Sequence, residues 1–337
     1  MSFAAAATRS LRTGLAVSQL GLGTTPFGNL FSEVSDLAIR ETMAAARGAG
    51  IRYFDTAPFY GHGLAEHRLG EALRTAPRGD FVISTKVGRV LKPDPGAVTP
   101  GTFARILPFG FDYDYSYDGA MRSFEDSLQR LGLASVDIAL IHDVNRRWQG
   151  ERLETSYAES MNGAYRALAK LRSERVVNAI GVGINENDLL IRYARDGDFD
   201  CFMLAGRYTL LDHSAIDELL PECVKRGIGI LLAAPLSSGI LATGAKPGAT
   251  YLYDEASPEI MERARGLARV CAGHGVGLRA AALQFPLHHP AIMSVPAGMR
   301  AVHEVTQNVA DMGASIPAAL WQELKHAGLI DRACPTP

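Results

Sequence analysis

SYDGAMRSFEDSLQRLGLASVDIALIH, Ser116 to His142, contains the repeat on which the whole chain is built. Met121, Phe124, Leu128 and Leu131 recur at helical spacing, so they share one face of an amphipathic helix. VDIALIH, Val136 to His142, is a short apolar run with polar residues at its ends and reads as a covered strand. A helix feeding a buried strand, repeated, makes a parallel sheet.

Outward from this unit the pattern recurs in both directions. Toward the N-terminus, strands are expected at QLGLGT (Gln19–Thr24), IRYFD (Ile51–Asp55) and FVISTK (Phe81–Lys86), with helices near Asp36–Gly48 and Leu64–Arg74. RSLRTGLAVSQ, Arg9 to Gln19, has the turn residues of a small hairpin. Toward the C-terminus the helical MNGAYRALAKLRSERV precedes VNAIGVGI, and a helix near Glu186–Arg195 precedes DCFMLA. A helix near Ser214–Arg226 then precedes IGILLAAP, and PEIMERARGLARVCAGHG and LRAAALQFPLHH flank AIMSVP.

That makes eight strand–helix units without a linker or a low-complexity tract. Several of the strands are apolar on both faces, as strands covered on both sides should be. An open doubly wound sheet would also alternate in this way. Eight uninterrupted units favour a single (β/α)8 TIM barrel over residues 1–337, with a short N-terminal β-hairpin. Val87 to Tyr115 reads as one long irregular loop after strand 3, and loops of that length are usually functional.

Composition narrows the function classes. Just under half of the 337 residues are hydrophobic and the net charge is −2. There is no basic stripe to neutralise phosphates, so a nucleic-acid partner is not expected. No apolar run reaches the roughly 20 residues of a membrane span. MSFAAAATRSLRTG lacks the apolar core of a secretory signal, so the expectation is a cytoplasmic protein, with a transit peptide as the other reading. Cys201, Cys223, Cys271 and Cys334 are far apart, form no C-x-x-C and read as reduced thiols. No metal-type spacing occurs.

Three strands end on polar groups that a barrel interior does not ordinarily hold: Asp55, Lys86 and His142. Tyr60 follows Asp55 in the loop TAPFYG. Singly, each has an ordinary explanation: a helix cap, a snorkelling lysine, a satisfied histidine. Together, at the ends of consecutive strands about 5 Å apart, they would converge on one patch. A phenol with a pKa near 10 exchanges protons poorly at neutral pH, and a neighbouring ammonium is expected to lower that value. A carboxylate would hold the ammonium charged, and a neutral histidine could bind an oxygen. The set describes a general acid/base beside an oxygen-binding pocket. Phe59, next to Tyr60, and Trp148, after the fourth strand, are candidates to wall the substrate pocket.

These residues also carry a resemblance. IRYFDTAPFYGHGLAEHRLGEAL is similar to the first signature of the aldo-keto reductases, whose catalytic Asp, Tyr, Lys and His match Asp55, Tyr60, Lys86 and His142. FDYDYSYDGAMRSFEDSLQRLGL, ALIHDV, NAIGVGINE and AGRYTLLD resemble the subgroup of D-threo-aldose 1-dehydrogenases (L-fucose/galactose dehydrogenases) and pyridoxal 4-dehydrogenases. The resemblance implies a (β/α)8 barrel, a nicotinamide cofactor across its mouth, and hydride transfer with Tyr60 relaying a proton. In this subgroup the expected reaction oxidises an aldose or pyridoxal hemiacetal to its lactone, with His142 orienting the oxygen.

The same resemblance places the cofactor. GLGTT lacks the full G-x-G-x-x-G pattern; the resemblance implies that Gly23 and Thr24, at the end of the first strand, and Asp55 touch the cofactor. Leu236 and Ser238, with Gly239 beside them, match the pyrophosphate segment, and Ala233 stands where many members have a stacking aromatic. Gly183, Ile184, Asn185 replace a Ser-Asn pair, leaving Asn185 for the carboxamide, and Ala205 lies near the position of a usual glutamine. Gly298, Arg300, Gln307 and Asn308 match the adenosine end. Glu304, four residues before Asn308, could bond a ribose 2′-hydroxyl but would repel a 2′-phosphate, whereas Arg300 favours phosphate. The expectation is NAD rather than NADP.

His62, His67, His288 and His289 read as structural or solvent-facing; Phe109, Phe111, Tyr113, Tyr115 and Tyr117 could stack a nucleobase or sugar, and the reading preferred for some of them is packing of the long loop. Two other functions fit the pattern. One is a general NADPH-dependent aldehyde or ketone reductase. The other is a cofactor-binding regulatory subunit with little catalysis, against which the complete tetrad counts. The expected partner is a small sugar- or pyridoxal-like molecule, and no motif specifies an oligomeric state.

Overall fold

The computed structural model describes residues 3–98, 102–252 and 254–337. Eight parallel strands close into a barrel: β1 Leu20–Gly23, β2 Tyr53–Asp55, β3 Val82–Val87, β4 Ile138–His142, β5 Ala179–Ile184, β6 Cys201–Ala205, β7 Gly229–Ala233 and β8 Ile292–Gly298. β8 pairs with β1, with Gly298 opposite Gly23, so no sheet edge remains in the barrel. The open doubly wound sheet is thereby excluded.

Around the barrel run α1 Asp36–Gly48, α2 Leu64–Leu73, α3 Tyr117–Leu131, α4 Ala164–Ser173, α5 Asn187–Asp196, α6 Leu219–Arg226, α7 Leu278–Gln284 and α8 Val302–Met312. The Ser116–His142 unit illustrates why they form. Ser116 caps α3 by accepting from the Gly119 amide, Asp118 lies in the first turn and Arg130 in the last. Gly132 ends the helix in the left-handed region, at φ 62°.

Side-chain alternation along the strands divides the apolar residues into two layers. Phe54, Ile83, Ala139, Ile141, Ile180 and Val182 belong to the large layer under the helices. Tyr53, Ile138, Leu140, Ala179, Cys201, Met203 and Leu231 form a smaller cluster inside the barrel. The hairpin Thr8–Ser10 with Ala16–Ser18 closes the N-terminal end, and Leu11 and Val17 join that inner cluster. The four cysteines are free and buried.

Several expectations need correction. Val87–Tyr115 is not one irregular loop. Arg89–Pro93 and Phe109–Tyr113 pair as an antiparallel hairpin, with Arg89 opposite Tyr113. The aromatics at alternating positions 109, 111 and 113 are the period-two signature of that strand. Both PEIMERARGLARVCAGHG and LRAAALQFPLHH precede β8, and α8 comes after it. The sixth helix starts at Leu219 rather than Ser214, and an additional helix, Leu153–Asn162, precedes α4. Among the described residues no helix is long and apolar enough to cross a membrane.

Candidate active site

The strand register brings the polar strand ends together. Asp55 lies opposite Ser84, Lys86 opposite Leu140 and His142 opposite Gly183. Lys86 is two residues beyond Ser84 and His142 two beyond Leu140. Because side chains alternate with period two, all three therefore point into the barrel mouth on the same side.

Lys86 Nζ donates to both carboxylate oxygens of Asp55 at 2.8 Å and to the Thr56 carbonyl at 2.8 Å. Ser84 Oγ donates to Asp55 Oδ1 at 2.6 Å. Burial alone would lower the Lys86 pKa, but the Asp55 carboxylate overrides it and holds the ammonium above its ordinary value. The same ammonium lies 4.8 Å from the centre of the Tyr60 ring, and that ring meets His142 edge-on at 6.2 Å. The expectation of a lowered phenol pKa is corrected in sign. Burial raises Tyr60 above its ordinary value, and Lys86 opposes that rise without cancelling it.

Tyr60 is held by a contact between two glycines. A Cβ on Gly28 would lie 2.5 Å from the Gly61 nitrogen and 2.5 Å from the Tyr60 carbonyl carbon. Gly61 adopts φ +64°, and a Cβ there would lie 2.7 Å from Gly28 Cα. The loop after β1 can thus press directly on the loop that carries the phenol.

The residue missed in the sequence is Arg89. It is buried and follows Lys86 by three positions, on the first strand of the hairpin. Its guanidinium lies 4.1 Å from the ring of Phe59, 5.0 Å from Trp148, 5.2 Å from Phe111 and 5.2 Å from Tyr113. Arg89 Nη1 approaches His142 Nδ1 at 3.1 Å and donates to Asp143 Oδ2 at 2.7 Å. His142 is pushed well below its ordinary pKa by burial, then by the charges of Arg89 and Lys86, so its ring is neutral. Phe59 and Trp148, expected near the substrate, pack edge to face at 5.6 Å, and both rings lie against the Arg89 guanidinium. The one trace of it in the sequence is the alternation of Phe109, Phe111 and Tyr113 on the strand that pairs with Arg89.

Of the residues expected to hold a cofactor, Gly23 and Gly298 end β1 and β8, Thr24 follows β1 and Asn185 follows β5. Thr24 donates its amide to the Asp55 carbonyl at 2.9 Å, and its Oγ1 is buried without a partner. Asn185 Oδ1 is also buried and unpartnered, while the Asn185 carbonyl accepts from Arg207 Nε at 2.9 Å. Two buried, unpartnered polar atoms just beyond the ends of β1 and β5 fit a polar group such as a nicotinamide carboxamide. After β7, Leu236 leads into a turn in which Ser238 (φ 58°) and Gly239 (φ 99°) are left-handed. Gly298 ends β8, and Asn308 is buried in α8.

Three of the side chains expected at the adenosine end, Arg300, Glu304 and Gln307, have partners within the protein. Glu304 Oε2 accepts from the Arg300 amide at 2.7 Å, and Arg300 Nη1 donates to Ser32 Oγ at 2.6 Å. Gln307 Oε1 accepts from Arg279 at 2.7 Å. Of the histidines read as structural, His62 bonds the Phe109 carbonyl and His289 accepts from the Ala291 amide. Among the described residues no group of three His, Cys, Asp or Glu is placed to hold a metal.

The profile of the Aldo/keto reductase family matches residues 19–328. Pyridoxal 4-dehydrogenase of Microbacterium luteolum is 41% identical over 330 residues, 95% of this chain and 96% of that protein. D-threo-aldose 1-dehydrogenase of a Pseudomonas species is 41% identical over 330 residues, 96% of this chain and 97% of that protein. In fold, the chain is similar to the holo form of an aldo-keto reductase from Bacillus halodurans, with a TM-score of 0.75 at 23% identity, covering 97% and 98% of the two chains.

Proposed function

Because the chain belongs to the aldo/keto reductase family and is an oxidoreductase, we propose that it oxidises the cyclic hemiacetal of an aldose or of pyridoxal to a lactone, with NAD as its preferred cofactor. The observation that supports this reading is that the Tyr60 ring has the Lys86 ammonium 4.8 Å from its centre and the His142 ring edge-on to it, with the Phe59 and Trp148 rings packed on the Arg89 guanidinium beside His142. Aromatic walls suit the C–H face of a sugar or a pyridine ring.

The proton chemistry belongs to this chain. Lys86 stabilises the phenolate form of Tyr60, which then takes the hydroxyl proton of the hemiacetal and becomes neutral phenol. Asp55 keeps Lys86 charged and aimed. His142, neutral, donates to the same substrate oxygen and holds it against Tyr60. The anomeric C–H bond breaks as its electron pair leaves, and the lactone C=O forms. Bound nicotinamide supplies the hydride acceptor for this step. Gly23, Thr24, Asp55, Asn185, Leu236, Ser238, Gly239, Gly298, Arg300, Glu304, Gln307 and Asn308 would hold it.

The preference for NAD rests on Glu304. Its carboxylate takes the Arg300 amide and lies 3.9 Å from the Arg300 guanidinium, so it partly answers the cation that a 2′-phosphate would need. Two measurements test these readings. A screen of aldoses, pyridoxal and simple alcohols with NAD should give NADH and a lactone from the first two classes. Turnover confined to simple alcohols or aldehydes would contradict the substrate reading. A higher kcat/KM with NADP than with NAD would contradict the reading of Glu304.

A further inference from the structure

We propose that Arg89 is a positioning residue that fixes His142 as the Nε2–H tautomer, turning a histidine that could accept or donate into a dedicated donor toward the substrate oxygen. The inference rests on the reading of His142 as the group that binds that oxygen.

The chemistry is one-directional. A guanidinium has only donors and keeps its charge at every pH a protein tolerates. At 3.1 Å from Arg89 Nη1, His142 Nδ1 must therefore offer a lone pair. A neutral imidazole whose Nδ1 is an acceptor carries its proton on Nε2.

Arg89 cannot easily turn away from this task. It is buried, and four aromatic rings surround its guanidinium. Nη2 donates to the Tyr113 hydroxyl at 3.2 Å and Nη1 to Asp143 at 2.7 Å. Asp143 itself takes a left-handed backbone, φ 53°. The hairpin after β3 thus carries one buried cation onto the histidine that ends β4.

The charged and titratable groups facing His142 are few. Arg89 and Lys86 both oppose its protonation. Asp143 Oδ2 lies 3.4 Å from Nε2 and favours a proton there. The Tyr60 ring lies edge-on, and Tyr115 bonds the His142 carbonyl at 2.8 Å. With Arg89 removed, one opposing charge is lost together with the donor that faces Nδ1 among the described residues.

The test is nitrogen-15 NMR of the full chain labelled at histidine, with His142→Asn used to identify the signal. In the unsubstituted protein the ring should be neutral and protonated on Nε2 from pH 5 to 8. In Arg89→Met the ring should either titrate within that range or populate the Nδ1–H form. Substrate kcat/KM should fall at least about tenfold while the NADH dissociation constant stays within about twofold. An unchanged neutral Nε2–H ring in Arg89→Met would overturn the proposal. So would an Nδ1–H or charged ring at pH 7 in the unsubstituted protein, a result available even if the variant does not fold. The NMR readout needs no substrate, so it stands apart from any failure of the hemiacetal reading.

Discussion

Lys86 donates to both oxygens of Asp55 at equal distances of 2.8 Å, and neither group reaches bulk water. A buried pair of this kind does two separable things. It keeps a cation under Tyr60, and it keeps two charges compensated inside the barrel. Lys86→Met should cost about 3–5 kcal/mol of stability, because the Asp55 carboxylate would be left buried alone. The double variant Asp55→Leu with Lys86→Met should recover most of that loss, since well-packed apolar replacement of a buried pair is often neutral. Neither variant should turn over. Chemical denaturation read beside kcat checks both points, and activity in the double variant would show that the cation is dispensable.

Gly28→Ala should act on Tyr60 without touching its ring. The new methyl would meet backbone atoms of Tyr60 and Gly61 at 2.5 Å, and backbone yields less readily than a side-chain tip. We expect a stability loss of about 1–3 kcal/mol from overpacking. kcat should fall more than about tenfold as the phenol moves off its line to the substrate. Parallel thermal melts and steady-state rates would measure it; a full rate at normal stability would mean that the two loops do not register each other.

Acid should destabilise the fold through its buried histidines. His213, His288 and His289 are each lowered to about 4, first by burial, and His142 is lowered well below its ordinary value. In the unfolded chain these rings take protons near pH 6.5. Between about pH 6.5 and 4 the unfolded state thus binds more protons, and the unfolding free energy must fall as pH falls. Urea titrations at a series of pH values should show this decline. Replacing His288 with Asn should reduce its steepness, and a stability independent of pH over that window would contradict buried neutral rings.

Much of the barrel is legible in the sequence because its periodicities are local. The amphipathic stripe of α3, its Ser116 cap and the apolar run to His142 all lie within one 27-residue stretch, Ser116–His142. Convergence of Asp55, Lys86 and His142 is legible too, since period-two alternation and strand adjacency place them without knowledge of the loops. Three things were hidden. The hairpin after β3 pairs Arg89 with Tyr113 across an intervening segment, and such long-range pairing leaves only the alternating aromatics as a trace. The sign of the Tyr60 shift depends on how completely the phenol is buried against the nearby cation, a balance set by packing. The partner of Gln307 was hidden for the same reason, because Arg279 reaches it from α7, 28 residues away.

The most direct test is Tyr60→Phe, followed over pH with NAD and an oxidisable aldose or pyridoxal. In the unsubstituted protein the raised phenol pKa predicts an oxidation rate that climbs as pH rises toward the alkaline range, because only the phenolate accepts the proton. The variant should lose at least about a hundredfold in kcat, lose that climb, and bind NADH as before. A variant that kept both its rate and its pH dependence would show that the proton leaves by another route.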